Sequence, residues 1–298
     1  MNQVAKDITK FVHTELDKAC KEVLKNIPFL ARIVQASVRE YADCTIEEVE
    51  NLIRGNQMTN KIVGQAESMN GRQVDIRFDA KCPNGDGMTK VLLNIEVQNK
   101  YTPGYDLITR GIFYGALMLA AEDGVEFEGQ NYGDLKKVYS IWIAIRPRVS
   151  ERGCINCYEM NEVQLRGTMT RAKSVYDKLS VVQLNLGAAD DDGVLRMLDV
   201  LMDHTCSIED KKVILGQEYG IVMNDEMEGD VESVCNYSEW VYENGVEKGI
   251  AQGIQKGIAQ MLMKAMKKTK GSIEEVLEYF DIPEDERAMY AEQLRKKV

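Results

Sequence analysis

Val74-Asp75-Ile76-Arg77-Phe78-Asp79-Ala80, followed beyond Cys82-Pro83-Asn84-Gly85-Asp86-Gly87 by Val91-Leu92-Leu93-Asn94-Ile95-Glu96-Val97-Gln98, is the stretch on which the fold turns. In the first run apolar residues alternate with charged ones, the period of a strand with one buried and one polar face. The second run repeats the pattern, with Val91, Leu93, Ile95 and Val97 on one side. Between them, Asn-Gly and Asp-Gly favour the positive φ angles of a hairpin turn. A turn centred between Gly85 and Asp86 sets Asp75 opposite Glu96, and directly opposed residues hold their Cβ atoms roughly 4.5–5.5 Å apart. Two carboxylates that close repel unless a cation lies between them. Gln98 projects from the same side as Glu96. A slip of one residue would scatter the group across both faces.

Working outward, the first sixty residues read as helical. Helices are expected over Phe11–Ile27 and Pro28–Tyr41, with Pro28 where a helix can begin, then a short third helix to Arg54 opened by the capping box Thr45-Ile46-Glu47-Glu48. Beyond the hairpin, Tyr105–Glu122 reads as a broadly apolar helix. Lys137–Ile145 suits a central strand covered on both faces, and Leu179–Leu186 a further strand. The order strand, strand, helix, strand predicts an α/β fold with a mixed central sheet flanked by helices. The expected organisation is a domain over 1–190, an acidic helical region over 191–242, and a C-terminal helical extension over 243–298. In that extension Gly245, Gly249, Gly253 and Gly257 recur every fourth residue. Ser272-Ile273-Glu274-Glu275 then caps a small helical hairpin that turns at Ile282-Pro283.

Composition narrows the function. With 298 residues and 44% hydrophobic content, the chain can bury one substantial core and still form an appendage. No stretch has the roughly 20 apolar residues of a membrane span, and the first residues lack a signal peptide's apolar core, so a cytoplasmic protein without membrane contact is expected. Seven cysteines, an odd number in a long chain, fit reduced thiols. The net charge of −11 argues against tight non-specific binding of duplex by the whole surface, since nucleic-acid affinity comes mainly from cations set against phosphates. A local basic groove remains compatible with it.

Carboxylate, carbonyl and water oxygens are the donors that a hard divalent ion such as Mg²⁺ prefers, with Mn²⁺ as a substitute. The reaction they suit is phosphodiester hydrolysis. The ordered set Val74-Asp75-Ile76-Arg77-Phe78, Asn94-Ile95-Glu96-Val97-Gln98, Pro103-Gly104-Tyr105-Asp106, Thr109-Arg110-Gly111-Ile112-Phe113-Tyr114-Gly115 and Lys136-Lys137-Val138-Tyr139-Ser140-Ile141-Trp142-Ile143 resembles the PD-(D/E)xK nuclease family transposases, or recombination-promoting nucleases, over roughly residues 28 to 260. The resemblance implies a restriction-endonuclease-like core, Mg²⁺-dependent cleavage of DNA, and a role near mobile elements. It carries Asp75 over as the first-motif aspartate, Glu96 as the acidic residue of the second motif, and Gln98 at the position of its lysine. Two departures stand out. Val74 replaces a proline that is no ligand, and Gln98 replaces a lysine, so the amide supplies no positive charge. Lys100, two residues on, is a candidate for that charge. Enzymes of this fold often add a glutamate from the preceding helix, for which Glu40, Glu47 and Glu48 are candidates. Asp106, Arg110 and Tyr114 share a helix face, with Arg110 either contacting phosphate or pairing with Asp106.

Competing readings are weaker. A charged hairpin face is ordinarily just solvated. Cys154-Ile155-Asn156-Cys157 with His204 and Cys206 could form a zinc set, but no second Cys-x-x-Cys supports it. Two histidines exclude a histidine-rich centre, and no nucleophile elbow anchors a serine triad. From Ser272 to Leu294 eight acidic residues stand against Arg287 alone, which disfavours a DNA-reading helix and favours assembly, such as a homo-oligomer through the C-terminal helices. The principal alternative to a DNA endonuclease is therefore a catalytically weak or inactive nuclease-fold protein acting as an oligomeric scaffold.

Overall fold

The alternation around the hairpin becomes two paired strands in a computed structural model that describes residues 3–55, 68–69, 72–73, 76–84, 87–98, 104–187 and 193–295. Helices α1 (Gln3–Leu24), α2 (Ile27–Ser37) and α3 (Ile46–Arg54) come first, then the two-residue strands β1 (Ser68–Met69) and β2 (Arg72–Gln73). The hairpin strands β3 (Ile76–Asn84) and β4 (Gly87–Gln98) lead to α4 (Leu107–Ala120) and β5 (Lys137–Ala144). After them come β6 (Cys154–Glu159), the single-turn helix α5 (Lys173–Tyr176) and β7 (Leu179–Asn185). Five helices end the chain: α6 (Val194–Met202), α7 (Ile208–Tyr219), α8 (Asp225–Thr269), α9 (Ile273–Tyr279) and α10 (Glu284–Arg295). No helix among the described residues is long and apolar enough to cross a membrane.

The hairpin register agrees with the sequence reading: Ile76 faces Ile95, Ala80 faces Val91 and Asn84 faces Gly87. β4 runs parallel to β5, and β5 parallel to β7, while β6 pairs antiparallel with the outer side of β7. The result is a mixed open sheet of five strands in the order β3-β4-β5-β7-β6. Within this sheet, edge strand β6 is the element that the sequence reading did not anticipate. Its residues are mostly exposed, so Cys154–Glu159 carries little of the apolar alternation that marks a strand.

Strand pairing also fixes which residues share a face. Glu96, Trp142, Gln183 and Asn156 lie in one row across four strands, and Gln98, Ala144, Asn185 and Cys154 in the next. Helix α4 covers this face through two glycines: a Cβ at Gly111 would lie 2.5 Å from Val181 Cγ1 and 2.8 Å from Trp142 Nε1, and one at Gly115 would collide with Leu179. Trp142, Tyr114 and Val181 form one apolar cluster beneath the helix, and Met118, Val138 and Leu179 another. β5 is buried along nearly its whole length, as a central strand covered on both sides must be.

On the opposite face the Tyr139 hydroxyl donates to Glu40 Oε2, and Lys137 Nζ pairs with Asp177 Oδ2 at 2.6 Å. Burial pushes the Tyr139 phenol well above its ordinary range, and the charge of Glu40 adds to the shift. The first two helices differ from expectation at their ends. α1 extends from Gln3 to Leu24, and buried Asn26 breaks the run: its carbonyl accepts from Leu30 N at 3.0 Å, while its amide donates to Val23 O at 3.0 Å and Asp230 Oδ2 at 2.9 Å. α2 stops at Ser37 and passes into a 3-10 turn over Arg39–Tyr41. Both expected capping boxes form: Thr45 N donates to Glu48 Oε2 at 2.7 Å, and Ser272 N to Glu275 Oε2 at 2.8 Å.

Chain contacts divide the protein into two units, Met1–Glu239 and Trp240–Val298. Most of the acidic region expected over 191–242 belongs to the first, where it packs on the N-terminal helices. There Cys20 Sγ meets Met202 Sδ at 3.8 Å, and Arg32 reaches the Tyr219 carbonyl. Lys211, fully buried, donates to Leu201 O at 2.9 Å and Cys235 Sγ at 3.1 Å. The second unit has its own core of Leu262, Val276, Leu277, Ile282, Tyr290 and Leu294. Among the described residues, Gly253 and Gly257 in α8 have no atom within 4 Å of where a Cβ would stand.

Glu122, at the end of α4, gives a pH-dependent prediction. Its Oε2 accepts from Lys136 N at 2.7 Å, while its buried Oε1 has no hydrogen-bond partner among the described residues. Burial raises its pKa; the Lys136 bond offsets part of that rise, and Glu126 adds to it. A carboxyl with a raised folded-state pKa favours folding below the unfolded value, and that contribution is lost as pH rises through the folded value. Glu122→Gln should therefore flatten the fall in stability above about pH 4.3, and urea midpoints measured across pH 4 to 8 check it. Parallel pH profiles for wild type and variant would contradict this account.

Candidate functional site

The carboxyl ends of β4, β5 and β7, together with the start of α4, gather polar side chains on the face that α4 covers. Glu96 is 4% and Gln98 8% exposed. The two stand two residues apart on β4, hence on one side of the sheet. Asp75 and Lys100 lie outside the described residues. Glu96 and Gln98 therefore share a face as expected, and the described pair nearest Asp75, Ile76 with Ile95, has the expected register.

Arg110 reaches this face from α4. Its guanidinium carbon sits 5.0 Å from the ring centroid of Trp142, 5.1 Å from Tyr114 and 5.3 Å from Tyr105. Nη2 donates to the Tyr114 hydroxyl at 3.1 Å and Nη1 to that of Tyr105. Desolvation alone would lower its pKa, but the Tyr114 hydrogen bond and the charges of Tyr114, Tyr105 and Glu96 outweigh it, and the net shift is upward. Arg110 is thus a firmly charged cation within the field of Glu96, backed by three aromatic rings. It does not pair with Asp106. That carboxylate is the N-cap of α4 and accepts from Ile108 N at 2.8 Å and Thr109 N at 3.4 Å.

Beside this group opens a cleft of about 540 Å³ whose lining includes Tyr105, Ala144, Arg146, Asn156, Gln183 and Asn185. Ala144 is the register partner of Gln98, so the cleft begins one strand from the expected site. Ligand sites in open α/β sheets commonly lie at the carboxyl ends of the strands, and this cleft has that position.

The three helix glutamates lie elsewhere. Glu40 bonds Tyr139 and comes within 3.8 Å of Lys137, on the opposite face of the sheet. Glu48 is engaged in the capping box of Thr45, whose backbone N–H bond holds its carboxyl below the usual range. Glu47 is exposed in the first turn of α3. The zinc alternative fails on geometry. Cys154 and Cys157 lie three apart on β6 and so point to opposite faces. Among the described residues no three His, Cys, Asp or Glu side chains gather into a metal-holding group.

The described donors fit Mg²⁺ in kind. The Glu96 carboxylate and the Gln98 amide carbonyl are hard oxygens, and such an ion completes its shell with water and phosphate. Sequence reasoning missed Tyr105, Trp142, Gln183, Asn185 and Asn156. The shared face of the last four follows from registers between strands distant in sequence, which no local pattern encodes, and Tyr105 joins them from the segment before α4. No family model, no curated protein and no solved structure matches the chain.

Proposed function

We propose that this protein is a Mg²⁺-dependent DNA endonuclease with a restriction-endonuclease-like core, related to the recombination-promoting nucleases that its motifs resemble. The observation that carries the reading is the convergence of Glu96, Gln98 and the aromatic-backed Arg110 on one sheet face, beside a cleft at the strand ends. Glu96, with Asp75, would hold the ion. When bound, the ion supplies a nucleophilic water at neutral pH and neutralises phosphate charge. Arg110 binds a phosphate oxygen: a guanidinium carries five N–H donors, and the described bonds to Tyr105 and Tyr114 use two. Gln98 orients water or phosphate through its amide. With glutamine at the lysine position, Arg110, which interacts electrostatically with Glu96, is the group that would support developing negative charge.

A plasmid-nicking assay tests this. Wild type should nick supercoiled DNA with Mg²⁺ or Mn²⁺ and stop in EDTA, and Asp75→Ala should be inert. Equal nicking by wild type and Asp75→Ala would remove the assignment. A second reading, a non-catalytic scaffold that retains the fold, draws support from Gln98 and the charge of −11. Calorimetric titration with Mn²⁺ separates the two, because a scaffold has no reason to bind a divalent ion near Glu96.

A further inference from the structure

We infer that the cleft beside Glu96 receives an unpaired nucleobase, so that the enzyme acts on DNA whose bases are free of the double helix. This rests on the endonuclease reading and names the substrate class of the same site. The floor of the cleft is a line of neutral carboxamides: Gln183 Nε2 donates to Asn185 Oδ1 at 2.9 Å, Asn185 Nδ2 donates to Cys154 Sγ at 3.4 Å, and Asn156 stands opposite Gln183 on β6. A carboxamide offers two N–H donors and a carbonyl acceptor, and the Gln183 bond uses one of those hydrogens. Neutral donor–acceptor edges match the hydrogen-bonding edge of a base and match poorly a phosphate or a simple cation. At the mouth, half-exposed Tyr105 and Tyr158 supply aromatic surface on which a base can stack. Arg146 is exposed at the same rim, where it can meet the backbone of the strand.

Position matters as much as chemistry. Glu96 and Gln183 are in one row with β5 between them, which puts the Gln183 carboxamide about 10 Å from Glu96 at the usual spacing of strands. A base seated there belongs to a nucleotide next to the cut phosphate. A base held in a duplex stack cannot enter such a recess without being flipped, at an unstacking cost of a few kcal/mol that unpaired DNA avoids. The acidic surface fits the same view, since a chain at −11 gains little from a long duplex.

The test is a titration of full-length protein, in EDTA so that nothing is cut, with a labelled single-stranded oligonucleotide and with the same sequence fully paired. The single strand should bind at least about 10-fold more tightly. Gln183→Met, or the exposed Asn156→Ala, which disturbs no buried packing, should weaken the single strand by about 2- to 10-fold, the range of one hydrogen bond. Duplex binding should stay unchanged. Equal or tighter binding of the duplex, or single-strand binding that neither substitution weakens, overturns the inference whether or not the protein cuts. The preference without any metal-dependent nicking would instead sink the proposed activity and leave the base pocket standing.

Discussion

Glu96→Gln should reduce Mg²⁺-dependent nicking by roughly 10²- to 10³-fold, the loss seen when one charge-stabilising group is taken from a catalytic site, while leaving the fold intact. The amide has nearly the shape of the carboxylate, so the buried position opposite Trp142 stays filled. What disappears is a negative charge. A hard dication loses one of its anionic ligands, and Arg110 loses a favourable electrostatic interaction. Two measurements separate loss of chemistry from loss of structure. The variant should unfold at the wild-type urea concentration, and it should show no heat of Mn²⁺ binding. A variant that nicks at the wild-type rate would show that Glu96 is only a buried polar group.

Trp142→Ala should destabilise the first unit by about 3–5 kcal/mol, the range for deleting a buried aromatic side chain. The ring is 1% exposed. It meets Tyr114 edge-on at 5.6 Å, lies beneath the Arg110 guanidinium, and donates through Nε1 to Ser140 Oγ at 2.9 Å. Truncation opens a cavity where α4 approaches the sheet closely at Gly111, and Arg110 loses one of its three rings. Trp142→Phe keeps an aromatic face and should lie well below the alanine variant in cost. Urea titration reads both. A change under about 1 kcal/mol for the alanine variant would mean that helix and sheet close up without the ring, and Arg110 would then need another support.

The two predictions draw on different kinds of information. Glu96 was legible in the sequence because a strand alternates strictly and the Asn-Gly and Asp-Gly pairs set the turn, so counting residues yields the partner of each. The hairpin, the buried central strand at Lys137–Ala144 and both capping boxes are of this kind, each requiring only neighbours in sequence or a period of two. The role of Trp142 was not legible. It lies beneath Arg110 and opposite Glu96 because β4 and β5 pair in parallel with a particular register, and parallel strands joined through a helix carry no turn to count from. Edge strand β6 was missed for a related reason: with most of its residues exposed, it shows no apolar period.

Arg110 shows where local reasoning divides. Helical spacing correctly put it on one face with Asp106 and Tyr114, but spacing alone leaves Asp106 free to be its ion partner. In the folded chain the end of α4 takes that carboxylate as its cap, and the guanidinium turns to three rings and the field of Glu96.

By itself, then, the amino-acid order determined the local elements, the hairpin register and the pairing of Glu96 with Gln98 on one face, since each follows from backbone periods of 2 and 3.6 residues and from short-range hydrogen bonding. Only the tertiary structure decided which strands adjoin, where α4 lies, and that amides from β6 and β7 stand in the same row as Glu96 across β5. Those arrangements arise from burying apolar faces contributed by segments far apart in the chain, an energy that depends on every partner at once.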